Sequence, residues 1–454
     1  MVCAVPAPGV RTPTIGPARP MPIRETPKPR VLILNQFYVP DVASTGHLLH
    51  ELATDLVRRG FFVQVDTCRP CYGPRETWQP VELREWRDGV YVRRLITTRF
   101  SKDRLPGRIL NFLTFMVPLT LRMLFLSRRD TVHLYTTNPP FLGIIGAVVS
   151  MVRRHRYVKL LHDAYPEMAV WVGTIKKGGL IEKIWHMGNK LIYKRAEHTI
   201  VLCESAKRLV CENYGLDPAR VHVIYNWADA RELTPKPKAE SEFAKKHNLI
   251  EPFTVLYSGN LGLYYDFETL LGAAELLKDE NFRLVLVGAG GRKAWIGEQI
   301  AKRGLKNTLL LPYQPFEKLP DSLTACDASF VTIAKGVEGI SFPSKLYSSL
   351  AVGRPIIAIS EERSELRELV DEHDVGLWFK VGDAAGLAAG IRSLIADQGM
   401  TRRKGRNARA LFEREFTLEA AGEKYAKVLL EAFPPGTPAP RPPNPGSHPA
   451  PAAT

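Results

Sequence analysis

The sequence lacks several features that would have narrowed its function at once. Its first 28 residues hold many prolines and lack the uninterrupted apolar core of a secretory signal, so a tail without regular structure is expected there. Six cysteines are scattered at Cys3, Cys68, Cys71, Cys203, Cys211 and Cys326. Only Cys68 and Cys71 are closely spaced, and no second pair completes a zinc site. No thioredoxin-like context surrounds them, so structural thiols in a reducing cytoplasm are expected. Acidic side chains are outnumbered, 47 against 62 basic ones, leaving a net charge of +15. That excess suits nucleic acid, anionic lipid headgroups or nucleotide phosphates. The basic residues are dispersed and no nucleic-acid motif is visible, so nucleic acid is not expected as a partner.

What is present is an ordinary globular composition repeated over two units. With 454 residues, 45% hydrophobic and 24% charged, the chain is too long for one core and fits two domains with tails. Val31-Leu32-Ile33-Leu34 is the short apolar run of a buried parallel strand. A loop from Gln36 to Ala43 leads into a helix from Ser44 to Arg59, with Leu49, Leu52 and Leu56 on one face and Gly60 as its stop. Phe61 to Thr67 is the next strand, completing a β-loop-α-β unit. The same grammar restarts at Phe253, with strands at 253–257, 282–287, 308–311, 328–332 and 355–359 and a helix over 267–278. The organisation expected is an α/β chain of two Rossmann-like domains, 29–228 and 229–415, facing each other across a cleft. A helix at 416–433 then completes the second domain or crosses back to the first, and a Pro/Ala-rich tail fills 434–454.

One segment departs from this grammar. Ile109 to Leu126 is apolar for eighteen residues, long enough by itself to span a bilayer. Asn111, Pro118 and Arg122 interrupt it, and Lys102, Arg104, Arg108, Arg128 and Arg129 flank it. A helix lying in a membrane interface with anionic lipid fits this best; a helix buried in the first domain and a true span are the alternatives.

Three clusters carry chemistry. Thr45 and Gly46 open the first helix, where a glycine lets a ligand approach the backbone and the helix end favours negative charge. His162-Asp163 follows the apolar run 157–161, at the end of a strand where active-site residues of parallel sheets gather. His162 can exchange a proton or bond a sugar hydroxyl; the alternative is a structural histidine with Asp163 capping a turn. The third cluster is Glu338, Ser341, Ser344 and Lys345 at a helix entry. An acid there can take sugar hydroxyls, while the serine, the first amides and the lysine can hold a diphosphate. Gly259, Asn260 and Gly262, after the first strand of the second domain, are expected to add backbone donors.

Tyr257-Ser-Gly-Asn-Leu-Gly262, Pro312-Tyr-Gln-Pro315 and Pro343-Ser-Lys-Leu-Tyr347 followed by Gly353-Arg-Pro355 resemble glycosyltransferase family 4. Asn35-Gln-Phe-Tyr-Val-Pro40, Asn138-Pro-Pro140, His162-Asp163 and Asn226-Trp227 are similar to the same group, and the likeness covers about residues 30 to 432. The resemblance implies the GT-B fold, retaining transfer, an NDP-sugar donor in the C-terminal domain and an acceptor on the N-terminal side. It implies neither a metal nor a cofactor. The closest likeness is to members that build bacterial surface polysaccharides, which implies a lipid-linked or saccharide acceptor at the cytoplasmic face of the plasma membrane. The chain departs from the family in two places. Ser348 stands where many members carry a second glutamate, with Glu338 two residues ahead of the usual first. Tyr264, Tyr265 and Asp266 stand where many members carry a basic residue, and Lys345 is the candidate to supply that charge. On this reading His162 and Glu338 orient the reacting sugars. Gly259, Asn260, Gly262, Ser341, Ser344 and Lys345 hold the donor, and Thr45, Gly46 and Asp163 face the acceptor. A GT-B nucleotide-sugar epimerase and a non-catalytic nucleotide-sugar binder are the competing readings.

Overall fold

The computed structural model describes residues 28–72, 75–100 and 105–440, without the side chains of Leu105, Arg108 and Phe316. Apart from Lys28 and residues 434–440, the expected tails at 1–28 and 434–454 lie outside the described residues, as do Lys102 and Arg104.

Two sheets form, one in each half. The first contains β1 Arg30–Leu34, β2 Phe62–Cys68, β3 Arg84–Arg87, β4 Val90–Leu95, β5 Thr131–Tyr135, β6 Arg156–Leu161, β7 His198–Val201 and β8 Val221–Val223, in the spatial order β3-β4-β2-β1-β5-β6-β7-β8. The second contains β9 Phe253–Ser258, β10 Phe282–Val287, β11 Thr308–Leu311, β12 Ala328–Thr332, β13 Ile356–Ser360 and β14 Gly376–Lys380, in the order β11-β10-β9-β12-β13-β14. Every pairing is parallel except β3 with β4. The strand order reverses direction between β1 and β5 and again between β9 and β12. Such switch points leave a crevice at the carboxyl ends of the strands, where ligands of open α/β sheets bind.

Alternation along each strand builds a core on both faces. Val31 and Ile33 join Leu49, Leu52 and Leu56 of the helix Ser44–Arg58. Leu32 and Leu34 join Phe115, Leu119 and Met123 on the other face. The C-terminal helix Leu418–Glu431 settles the open question of its side. Its Tyr425, Val428 and Leu429 pack into the core of the first domain, and Arg59 donates to the Glu419 carbonyl at 3.0 Å. Its Gly422 lies against the Asp55 carboxylate, where a side chain would collide.

The apolar segment is one helix, Leu105–Leu126, with 22% of the span Ile109–Leu126 buried. The alternative of a fully buried core helix therefore holds for one face only. Asn111, Phe115, Leu119 and Met123 point inward at four-residue spacing, while Leu113, Val117, Leu121 and Phe125 form the opposite, exposed stripe. The interrupting polar residues face protein groups. Asn111 Oδ1 accepts from the Phe100 amide at 3.0 Å and Thr98 Oγ1 at 2.9 Å, and Arg122 lies 3.5 Å from Asp66.

Candidate functional site

The loops after β9, β10 and β12 meet at the switch point of the second sheet. Gly259 has φ 141° and Gly288 φ 152°, values that side-chain-bearing residues rarely adopt. Each is also required by contact. A Cβ at Gly259 would lie 2.7 Å from Lys345 Cε, and one at Gly288 would strike the Gly259 carbonyl. The two loops are stitched together by Gly259 N–H to Val287 O at 2.9 Å and Leu261 N–H to Ala289 O at 2.8 Å. The first of these bonds corrects one expectation: the amide of Gly259 serves the fold and is not free to bind phosphate. What the tight loop provides is a trough for the lysine stem. Asn260 is exposed, with its carbonyl held by the Tyr257 hydroxyl at 2.5 Å, and Gly262 is buried beneath its side chain.

Lys345 begins the helix Lys345–Ala351 and is 9% exposed. Its Nζ stands 3.7 Å from the centroid of the Tyr265 ring and 5.0 Å from that of Tyr257. Among the described residues it has no hydrogen bond or ion pair. Burial pushes its ammonium down to about 7. Ser344 is exposed at the same helix entry, and Ser341 is half-buried just before it. Ser348 donates to the Lys345 carbonyl at 3.1 Å, one turn further along.

Across the cleft, His162 and Asp163 follow β6. Burial, with Lys159 nearby, pushes the His162 imidazole down to about 4, and its Nδ1 has no partner among the described residues. Its amide donates to Thr137 Oγ1 at 3.3 Å. Burial also raises the Asp163 carboxyl to about 6, and its charge reaches Tyr264 and Tyr265 of the second domain. The acceptor-side and donor-side clusters are thus neighbours. His162, Ala206, Ser341 and Phe342 share a narrow crevice between the domains, with room for about one water molecule.

Direct bonds hold the two halves together here. Ala164 N–H donates to Ile340 O at 3.1 Å, and Trp171 Nε1 donates to Lys335 O at 3.2 Å. Glu365, which has no signal in the sequence, is the main link. Its carboxylate accepts from the amides of Glu204 at 3.0 Å and Ser205 at 2.8 Å, from Ser205 Oγ at 3.0 Å and from Tyr225 Oη at 2.6 Å. It therefore caps a first-domain helix, Glu204–Tyr214, from the second domain. Glu338 lies in this same contact, with Oε1 accepting from the Glu365 amide at 2.9 Å. Burial is the largest cause of its raised carboxyl pKa.

Thr45 and Gly46 sit at the other switch point. Asn138 Nδ2 lies 3.5 Å from Thr45 Oγ1, joining the loops after β1 and β5. Gly46 is buried, and a Cβ there would lie 3.1 Å from Tyr38 Cα. The close approach it permits is to the chain's own backbone. Lys159, also without a local signal, is 3% exposed beneath His162 and donates to the Thr136 carbonyl at 2.5 Å.

Two family models match, that of glycosyl transferases group 1 over residues 239–411 and that of Glycosyltransferase Family 4 over residues 45–232. A Pseudomonas aeruginosa protein named as the probable glycosyltransferase WbjE is 29% identical over 299 residues, 64% of this chain and 72% of its own. An Escherichia coli (strain K12) protein, named provisionally as the colanic acid biosynthesis glycosyl transferase WcaI, is 24% identical over 81% of this chain and 92% of its own. Among solved structures, Anabaena Alr3699/HepE in complex with UDP superposes with a TM-score of 0.64 at 18% identity, covering 88% of this chain and 99% of that one. This likeness is one of fold.

Proposed function

Because the chain belongs to the glycosyltransferases of group 1 and family 4, we propose that it is a retaining enzyme that moves a sugar from a nucleoside-diphosphate sugar to a lipid-linked or saccharide acceptor in polysaccharide biosynthesis. The observation that carries the donor assignment is Lys345, a buried amine at the switch point of the second sheet whose neighbours are ring faces. An entering diphosphate supplies the counter-charge that the protein withholds, and Ser341 and Ser344 stand beside it as hydroxyl donors. Solved relatives of the same fold bind UDP and UDP-glucose, and the named relatives point to polysaccharide assembly.

In the transfer step the bond from the anomeric carbon to the diphosphate oxygen breaks, and the charge growing on that oxygen is offset by Lys345. The acceptor hydroxyl attacks from the side of His162 and Asp163, and its proton passes to the departing phosphate. His162, kept neutral by burial, orients a sugar hydroxyl through Nδ1. Glu338 takes a second hydroxyl by giving up the Glu365 amide. Radiolabelled transfer from a panel of NDP-sugars tests the class of reaction, and the anomeric configuration of the product by NMR tests retention. Absence of turnover with every donor, or an inverted product, would count against this reading.

The acceptor's setting is assigned to an anionic membrane at the cytoplasmic face. Beside the exposed stripe Leu113, Val117, Leu121 and Phe125, exposed Met151 and Val152 lie on the helix Leu142–Arg153 that packs against its own, and exposed Ile184 and Met187 lie on Leu180–Arg195, which packs against Leu142–Arg153 in turn. Exposed Arg128, Arg129, Arg153, Arg154, Lys176 and Lys177 rim this face. An apolar face ringed by cations suits the headgroup boundary of anionic lipid. Removing Arg129, Arg153 and Arg154 together as glutamines should weaken binding to anionic vesicles by roughly one to two orders of magnitude at low salt. Equal sedimentation of the variant and wild type would remove the membrane from the proposal.

A further inference from the structure

At the far edge of the first sheet, three potential ligands converge from three separate elements. His198 is the first residue of β7, His222 is the middle residue of the edge strand β8, and Glu431 ends the helix Leu418–Glu431. Their ligand atoms all lie within 4.8 Å of one another, and His222 Nε2 stands 2.9 Å from His198 Nδ1. This cluster lies at the opposite end of β7 from the one leading to Cys203 and the interdomain contact, so it belongs to no part of the site described above. From this juxtaposition we propose that His198, His222 and Glu431 form a binding site for a divalent transition-metal ion of the zinc type, which staples the C-terminal helix to the edge of the first domain.

The chemistry of the donor set selects the ion. Two imidazole nitrogens and one carboxylate suit a borderline ion such as Zn²⁺, whereas Mg²⁺ and Ca²⁺ prefer oxygen ligands alone. With Zn–N bonds of about 2.0–2.1 Å, two nitrogens of a tetrahedral site stand roughly 3.3 Å apart. The observed 2.9 Å therefore has to open by only a few tenths of an ångström. The carboxylate is exposed and closes its gap by side-chain rotation, leaving the fourth position to water.

The two imidazoles already face each other through His222 Nε2 and His198 Nδ1. The single proton they share moves to a far ring nitrogen as both lone pairs turn to the ion. Lys207, Lys427 and Arg220 oppose a cation here, while Glu431 and Glu197 favour it.

The backbone is already set for such a link. Val428, Leu429, Ala432 and Phe433 bury the end of the helix against the first domain, and Arg156 reaches the Phe433 carbonyl at 3.4 Å. The ion would therefore bind a largely fixed cradle. Its role would be structural, apart from any requirement of the transfer reaction.

The test uses the full chain, stripped of metal and free of any histidine tag. Equilibrium dialysis with Zn²⁺ should give one equivalent per chain, and Co²⁺ should give the visible absorption of a four-coordinate site. Melting temperature should rise with Zn²⁺. His222→Gln should weaken binding by roughly a hundredfold, since even loss of an outer-shell partner costs about 10–100-fold. Glu431→Gln, at an exposed position that leaves the fold intact, should weaken it by about tenfold and lower the Zn²⁺-induced thermal shift. Binding well below one equivalent, or equal binding by wild type and both variants, would overturn the proposal, the second outcome placing the ion elsewhere, for instance at the thiols Cys68 and Cys71.

Discussion

Each domain buries one lysine near the cleft, and the two are held in different ways. Lys159, on β6, donates a hydrogen bond to the Thr136 carbonyl and so ties the ends of β5 and β6 that present His162. Lys345 lies over a glycine trough and against the faces of Tyr265 and Tyr257. Burial pushes both down to about 7. A buried polar group is retained when a partner satisfies it, and Lys159 has one. Lys345 has ring faces alone among the described residues, a weaker compensation that a phosphate would exceed. The contrast separates a lysine that completes the structure from one that awaits an anion.

The largest effect should come from the residue that Lys159 supports. His162→Ala should lower turnover by roughly a hundredfold or more while leaving the melting temperature almost unchanged, because its ring nitrogen is unpartnered in the fold. A sharp loss of stability with normal activity of the folded fraction would make His162 structural and move it to the same side of the comparison as Lys159.

Exchanging each lysine for methionine tests the contrast itself. Lys345→Met should reduce kcat/KM by roughly 10- to 100-fold, the worth of a charge-assisted bond to phosphate, with stability unchanged or raised because a desolvated amine is removed. Lys159→Met should do the reverse, lowering the melting temperature because the Thr136 carbonyl loses its donor, and leaving KM for the donor within about twofold. Equal effects of the two substitutions on donor use, read from steady-state kinetics beside thermal melts, would erase the distinction.

A smaller effect concerns pH. Both lysines have folded values near 7 against 10.5 for the free side chain, so between these limits the unfolded chain binds more protons. Their stability contribution is complete above about 10.5 and is lost as pH falls toward about 7. Denaturant titrations from pH 7.5 to 9 should show stability rising with pH. Lys345→Met should remove about one proton from that dependence, and Lys159→Met about one more. An unchanged slope in both variants would mean that the lysines are charged at neutral pH in the native state.

Much of the scaffold was legible because buried parallel strands write themselves as short apolar runs. Val31–Leu34, Phe282–Val287, Thr308–Leu311 and Ala328–Thr332 announce their strands almost to the residue. The hairpin Arg84–Leu95 lies outside the expected elements, although Asp88-Gly89 carries the signal of a tight turn and adopts the positive φ values of 51° and 78° that such a turn requires. Motif residues found the neighbourhood of the cleft and misjudged some of the reasons. Gly259 is there for close approach, but the approaching group is the lysine stem. Glu365 and Lys159 were illegible because their meaning is wholly tertiary: Glu365 bonds residues 140 to 161 positions away. No local pattern marks such a residue, and only the meeting of the two sheets gives it partners.

The central claim is that Lys345 receives the donor diphosphate, and calorimetric titration with nucleoside diphosphates, beginning with UDP, tests it most directly. The titration should be run at pH 7.5 in two buffers of different ionisation enthalpy, with wild type and Lys345→Met in parallel. A phosphate beside the ammonium raises its pKa, so wild type should take up protons on binding, and the apparent enthalpy should differ between the buffers. Lys345→Met should bind roughly 10- to 100-fold more weakly and without that uptake. Equal affinity and equal proton uptake in the two proteins would contradict the account and remove Lys345 from the site.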